Sequence, residues 1–348
     1  MYPSDSNPGY GVFVKNICLG LENNGVHTEY MAVISGREQG SVAKLLVYLK
    51  FYWRILTIYF KRYDCLYVHY PSYSAPILNF LQSIKRKPMV VNYHGEDLLY
   101  PRYTFIHRYL GRQSEKLGKK ADFIVVPSDY FKGIVMEKKI ADNDKIVVSP
   151  SGGIDGSIFQ FKGPKEEREY LHLGFVGRLQ RTKGTIEFVE ACKKLSQHLN
   201  IKVTIIGYGE LNNKIDEIAK EDKVFTFIKG ISQEELPNYY NDFDLFFFPS
   251  KRKTESLGLV GIEAMACGTP VLGSDIGGIT SYLRHGKNGY LLRLDHLVDD
   301  MVKYTIEYSR LNDYEKERMA KSAIETSERF EREDVCERLS KEFKKRIK

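Results

Sequence analysis

At 348 residues the chain exceeds what one ordinary hydrophobic core fills, so two domains are expected. Apolar residues make up 43% and charged residues 28%, the balance of a soluble globular protein, and no run of about 18 uncharged apolar residues exists to cross a membrane. The net charge of +7 is unevenly placed: residues 1–155 hold 20 Lys and Arg against 14 Asp and Glu, and the remainder holds 32 against 31. A basic front half suits an anionic lipid surface or a phosphorylated acceptor, and the lack of any nucleic-acid module signature ranks nucleic acid last.

The N-terminus, MYPSDSNPGYG, has neither the basic head nor the apolar core of a signal peptide. The five cysteines (Cys18, Cys65, Cys192, Cys267 and Cys336) are scattered, odd in number and never in a CxxC pair. They argue against a disulfide framework or structural zinc and for a reducing cytoplasm. The first glycine turn, NPGYGVFV, starts at residue 7. A βα domain should open with a buried strand before that turn, so either the first strand is missing or the true start lies upstream.

Residues 41–63, SVAKLLVYLKFYWRILTIYFKRY, read as a helix. At helical spacing Leu45, Leu49, Tyr52, Trp53, Leu56 and Phe60 share one face. Lys50, Arg54 and Lys61 share another, with Phe51 and Ile58 among them. Basic residues mixed with Trp, Tyr and Phe suit a helix lying in a membrane interface; the rival reading is a core-packed helix with a solvated basic side.

Strand candidates come next at 65–70 (CLYVHY), 89–94 (MVVNYH), 123–128 (FIVVPS) and 145–150 (KIVVSP). The back half continues with 171–177 (LHLGFVG), 202–207 (KVTIIG), 223–230 (KVFTFIKG), 244–250 (DLFFFPS) and 270–275 (PVLGSD). Runs that are apolar throughout, spaced by helix-sized segments, read as parallel strands buried under helices. The expected fold class is therefore α/β, with two doubly wound Rossmann-like domains facing each other across a cleft into which strand C-termini point. The polar stretch 155–169 is the best linker candidate. The expected domains are 1–155, 156–325 and a final helix segment, 326–348, whose acids come early and cations late, as the helix dipole prefers.

The chemistry concentrates in the back half. In FVGRLQRTKG, Arg178 and Lys183 project from the loop after a strand, with Gly184 opening a helix. Two cations beside a helix N-terminus suit a diphosphate; a solvated basic loop is the plain alternative. In ESLGLVGIEAMACGTPVLGSDIGG, Glu255 and Glu263 flank a turn at Gly258, where a missing Cβ lets the backbone approach a ligand and the N–H groups of Leu259, Val260 and Gly261 face an anion. The carboxylates accept from neutral hydroxyls on either side. Hydroxyl, phosphate, hydroxyl is the order of groups in a nucleotide sugar.

GRLQRTKG, IIGYGE, DLFFFPS and the Glu255–Gly278 block, in that order, resemble the donor domain of family 4 retaining glycosyltransferases of the GT-B fold; the front half matches more weakly, through the glycine turn, YHGED, and the VPS and SPSGGID segments. The resemblance implies a role for each matching residue. Glu255 would contact donor-sugar hydroxyls and Glu263 the ribose. Gly258 and Leu259 would offer amides to the diphosphate, and Arg178 and Lys183 would clamp it. Gly207, Tyr208 and Gly209 would lie near the base. His94, ending MVVNYH, would sit near the reacting sugar, and Gly9 and Gly11 would form the glycine loop approaching donor phosphate or acceptor. Glu96 or Asp97 would steer the acceptor, with His69 a weaker candidate for the same contact. The resemblance implies no cofactor and no metal, with UDP or GDP expected before ADP in the donor.

Asp242-Phe243-Asp244 spells the DxD that holds a divalent metal in the other large glycosyltransferase fold, but it precedes a buried-strand pattern, so Asp244 reads as the start of a strand. Two departures from the family pattern stand out. Thr280-Ser281 replaces the Pro-Glu that many relatives carry after the paired glycines, and Lys251-Arg252-Lys253-Thr254 is unusually basic, most simply as a solvated turn.

The expected function is retaining transfer of a hexose to a hydroxyl of a glycan or polyprenyl-diphosphate-linked acceptor, in capsule, O-antigen or exopolysaccharide assembly. The expected place is the cytoplasm, peripheral on the inner, anionic face of the membrane. A nucleotide-sugar epimerase of the same fold and a catalytically silent sugar-binding subunit are the alternatives.

Overall fold

The computed structural model describes residues 2–3, 11–34, 41–99, 104–165 and 167–347. The chain divides into two compact units: residues 1–153 with 332–348, and residues 154–331.

The first unit contains α1 (Val12–Asn23), α2 (Ser41–Tyr59), β1 (Leu66–His69), α3 (Pro71–Ile84), β2 (Met89–Asn92), α4 (Phe105–Lys120), β3 (Phe123–Val126), α5 (Asp129–Glu137) and β4 (Ile146–Val148). Its sheet is parallel, in the order β1-β2-β3-β4. Successive side chains alternate between faces. Val90, Phe123 and Val125 pack with α1, whereas Met89, Val91, Ile124 and Val126 pack with α3, α4 and α5. The chain's last helix spans Arg332–Arg346 and belongs to this unit, where its Leu339 and Phe343 join Ile17 and Leu21 of α1.

The second unit contains β5 (Leu171–Arg178), α6 (Thr185–Leu195), β6 (Ile201–Tyr208), α7 (Asn212–Glu221), β7 (Phe225–Ile228), α8 (Leu236–Asp242), β8 (Leu245–Phe248), α9 (Leu259–Ala266), β9 (Val271–Ser274), β10 (Gly289–Leu292), α10 (Leu297–Ser309) and α11 (Asp313–Ser327). Its six strands are parallel, in the order β10-β9-β8-β5-β6-β7. The winding reverses between β5 and β8, and in such sheets ligands bind outside the strand C-termini at that reversal. Nine strands fall where apolar runs were read. The tenth, β10, is only four residues long and follows the polar His285-Gly286-Lys287-Asn288, too short a signal to stand out. The stretch 155–169 is no free tether: Phe159 is buried in the second unit's core, and the backbone N–H of Lys162 donates to Asn241.

The DxD carboxylates sit at the strand starts, the sheet edge away from the winding reversal's ligand side. Arg168 pairs with Asp242 at 2.6 Å and with Asp244 at 3.3 Å. The buried His172 meets Asp242 at 2.6 Å through Nδ1 and Thr204 at 2.8 Å through Nε2, while its backbone N–H donates to Asp244. Burial opposes the charge of Asp242, but Arg168 and His172 outweigh it and hold this carboxyl below its usual range. The pair thus ties β5 to β8 through its hydrogen bonds and ion pairs.

Candidate functional site

The C-terminal edge of the second sheet gathers most of the residues that the sequence singles out. Arg178 is the exposed last residue of β5 rather than part of the loop after it, and a short 3-10 turn, Arg181–Lys183, brings Lys183 inward. Lys183 Nζ lies 2.6 Å from Glu255 Oε2, with the two side chains only 15% and 11% exposed. Ser250 Oγ, just beyond β8, donates to the same carboxylate oxygen at 2.8 Å. Burial works against an ionised Glu255, yet Lys183 and Ser250 outweigh it and the carboxyl titrates below its usual range. The carbonyl of Glu255 accepts from the backbone N–H of Gly278 at 2.8 Å, so the paired glycines brace the acid's own backbone.

Gly258 caps α9 with φ +82°, and a Cβ there would stand 2.2 Å from the Phe248 ring. Leu259 opens the helix and Glu263 lies one turn further on, buried, accepting from Tyr240 Oη at 3.1 Å. Gly207 and Tyr208 end β6 opposite Gly177 and Arg178 of β5. Tyr208 is exposed, and the Gly209 backbone N–H donates to Asn212 at 2.7 Å. Arg178, Lys183, Glu255, Gly258, Leu259, Glu263 and the 207–209 turn therefore belong to one sheet edge: a cation next to a buried acid, a helix N-terminus, and a further acid one turn along that helix. Such a set can neutralise an anion and hold hydroxyls beside it.

The basic loop divides: Lys251 pairs with Glu187 at 2.5 Å, and Lys253-Thr254 form a turn. Thr280 and Ser281 lie in a 3-10 turn, Gly277–Ser281, where Thr280 Oγ1 donates back to Gly277.

In the first unit, His94 is buried two residues past the end of β2. Its Nε2 lies 3.0 Å from His69 Nδ1, and its ring packs against Tyr70 at 4.4 Å and Phe13 at 4.9 Å. Burial pushes both imidazoles down, His69 to about 3 and His94 well below its ordinary value. Asp97 is turned into the structure: its carboxylate takes the backbone N–H groups of His94 and Gly95 at 2.9 Å and is buried at 3% exposure. Gly11 caps α1 with φ +77°. Gly9 lies outside the described residues. Sequence reasoning missed Ser250, Tyr240 and the pairing of the two histidines; only Ser250 had a local signal, as the polar residue closing DLFFFPS. Among the described residues no group of three or more His, Cys, Asp and Glu could hold a metal ion.

Residues 157–326 match the family described as glycosyl transferases group 1, and residues 9–153 match glycosyltransferase family 4. The chain is 34% identical over 175 residues to the D-inositol 3-phosphate glycosyltransferase of Pseudarthrobacter chlorophenolicus, covering 46% of this chain and 41% of that protein. It is 30% identical over 184 residues to the capsular polysaccharide biosynthesis glycosyltransferase CapM of Staphylococcus aureus, covering 49% and 47%. These matches thus span less than half the length of the curated relatives. The fold is that of HepE from Anabaena, solved in complex with UDP and glucose (TM-score 0.71, 17% identity, 99% of this chain and 98% of that one). The two matched families together span nearly the whole chain, which belongs to the family 4 glycosyltransferases of the GT-B fold.

Proposed function

We propose that this protein transfers a hexose from a nucleoside-diphosphate sugar, UDP or GDP before ADP, to a hydroxyl of a glycan or polyprenyl-diphosphate-linked acceptor, with retention of configuration and without a metal. The observation that carries this reading is the Lys183–Glu255 pair, braced by Ser250 and set beside Arg178 at the winding reversal. In this reading Arg178, Lys183 and the amides at Gly258 and Leu259 take the diphosphate, Glu255 takes sugar hydroxyls, and Glu263 takes the ribose. The 207–209 turn lies near the base, and His94 hydrogen-bonds the reacting sugar. The acceptor oxygen attacks the anomeric carbon on the leaving-group face. The C–O bond to the diphosphate breaks, and a diphosphate oxygen takes the acceptor's proton. Catalysis is then positioning plus stabilisation of the departing charge, with no covalent carboxylate intermediate. The UDP complexes of a fold relative and the capsule relative support the donor and the polysaccharide setting.

Melting measured with UDP-, GDP- and ADP-sugars identifies the donor, and NMR of the product made from an α-linked donor should show an α-linkage that forms equally well in EDTA. A β-linked product, or no melting shift with any donor, overturns the reading. An epimerase would convert the donor without acceptor, and a silent subunit would bind it unchanged.

The proposed setting is the inner membrane face. Among the described residues, no helix is long and apolar enough to cross a membrane. Yet α2 buries Ile55, Ile58 and Tyr59 while turning Leu45, Leu46, Leu49 and Trp53 to solvent. Its Tyr52 hydroxyl donates to Tyr73 of α3, and α4 begins with exposed Phe105 and Ile106. Residues 41–63 and α4 together carry ten Lys and Arg against one acid, Glu115. Apolar side chains rimmed by cations fit an anionic bilayer. The protein should float with liposomes containing anionic lipid, and Trp53→Glu should abolish this; a protein that stays unbound with or without anionic lipid has no such face.

A further inference from the structure

The parallel register of β1 and β2 sets His69 opposite Asn92 and so brings two imidazoles to one edge of the first sheet. Between His69 Nδ1 and His94 Nε2, 3.0 Å apart, there is room for one hydrogen. Burial keeps both rings neutral, so one of them donates and the other accepts. The second nitrogen of His69 decides which. His69 Nε2 is buried and has no hydrogen-bond partner among the described residues. Were His94 the donor, His69 would carry its proton on Nε2 as a buried N–H with no acceptor. Orphaned donors are rarer in proteins than under-used acceptors. The arrangement that avoids one has His69 donating from Nδ1 into His94 Nε2, which leaves His94 with its own proton on Nδ1.

The surroundings hold that geometry. Asp97 fixes the backbone of His94 and Gly95. Tyr70 stacks on the His94 ring from the β1–α3 turn, and it does so in a left-handed backbone conformation, φ +51°, that costs a tyrosine free energy. Strain of this kind persists where surrounding structure over-determines it and clusters at working sites.

We propose that His69 is a positioning residue: by donating to His94 Nε2 it fixes the tautomer in which His94 offers a Nδ1–H donor to the substrate. This rests on His94 facing the reacting sugar, as in the proposed function.

The tautomer is testable without substrate. In the full chain labelled with 15N-histidine, long-range proton–nitrogen spectra at neutral pH, assigned with a His94→Gln variant, should show both His69 and His94 protonated on Nδ1. A His94 protonated on Nε2 overturns the proposal. Kinetically, His69→Asn, whose amide nitrogen stands near the place of Nδ1, keeps the donor and should hold kcat within a few fold. His69→Phe removes the donor and should lower kcat roughly 10- to 100-fold with donor KM unchanged, the scale of a misplaced group. Equal kcat values for the two variants, at matched melting temperatures, would refute the positioning role. If the wild-type chain transferred no sugar at all, the donor reading would fall while the spectrum still decided the tautomer.

Discussion

Lys183→Ala should cost this protein more than Glu255→Ala, in folding stability and in nucleotide affinity alike. The two groups meet at 2.6 Å with 15% and 11% exposure, so each charge depends on the other. Removing the lysine takes away the cation that meets this buried carboxylate, leaving it Ser250 and the charge of Arg252, and breaking a buried pair from one side costs roughly 3–5 kcal/mol. The remaining anion would also repel a diphosphate. With one charge-assisted bond lost, worth roughly 1.5–3 kcal/mol, UDP affinity should fall about 10- to 100-fold. Removing the glutamate instead frees the lysine for the diphosphate. Glu255→Ala should therefore bind UDP at least as well as wild type while losing about 10²- to 10³-fold in kcat, the scale for deleting one group that acts in the transition state. The double variant should be more stable than Lys183→Ala alone, because no unpaired charge remains.

The pair also sets a pH dependence. Glu255 titrates below its usual range when folded, so the stability it contributes is present above the unfolded carboxyl value of about 4.3 and is lost as pH falls through the lower folded one. Urea melts and UDP titrations of the three variants read all of this. A Lys183→Ala protein as stable as wild type would mean the pair carries neither structure nor site.

The candidate site of the second unit was legible because its parts are contiguous motifs: a strand, then a loop, then a helix start, each marked by Gly, Lys or Glu at fixed offsets. The parallel strands announced themselves as unbroken apolar runs, since both sheet faces are covered. What sequence could not give depends on register and crossing. Tyr240 reaches Glu263 from another helix, and His69 reaches His94 because β1 and β2 pair in parallel at one register. Neither contact has a local pattern. Asp97 reads like an acceptor acid next to His94, but its spacing places it for a tight turn, where it satisfies two backbone donors. The apolar run after the DxD marked Asp244 as the start of a strand, yet the partner of both carboxylates, Arg168, lies in the stretch that read as linker.

Gly184→Ala should be among the most damaging single-methyl additions in the second unit, and Gly286→Ala supplies its control. Both glycines have nearly the same left-handed backbone, φ +73° and +70°. At Gly286 a Cβ would meet nothing within 4 Å, so alanine there costs only the conformational penalty, about 1–2 kcal/mol. At Gly184 the same carbon would stand 2.0 Å from the carbonyl oxygen of Pro249, a backbone atom that no rotamer change can move aside. The loop after β5 and the loop after β8 touch here and are tied by the Lys251 N–H donating to the Thr182 carbonyl at 2.9 Å. Forcing them apart should raise the total cost to roughly 4–5 kcal/mol, at the upper end for point mutants. The site is hit by the same displacement, because Lys183 adjoins Gly184 while Ser250 adjoins Pro249, and both hold Glu255. Gly184→Ala should therefore lose UDP binding along with stability, whereas Gly286→Ala should lose a little stability and keep its affinity. Equal melting temperatures for the two variants would show that the loops yield to the added methyl and that the close approach at Pro249 does not hold the site together.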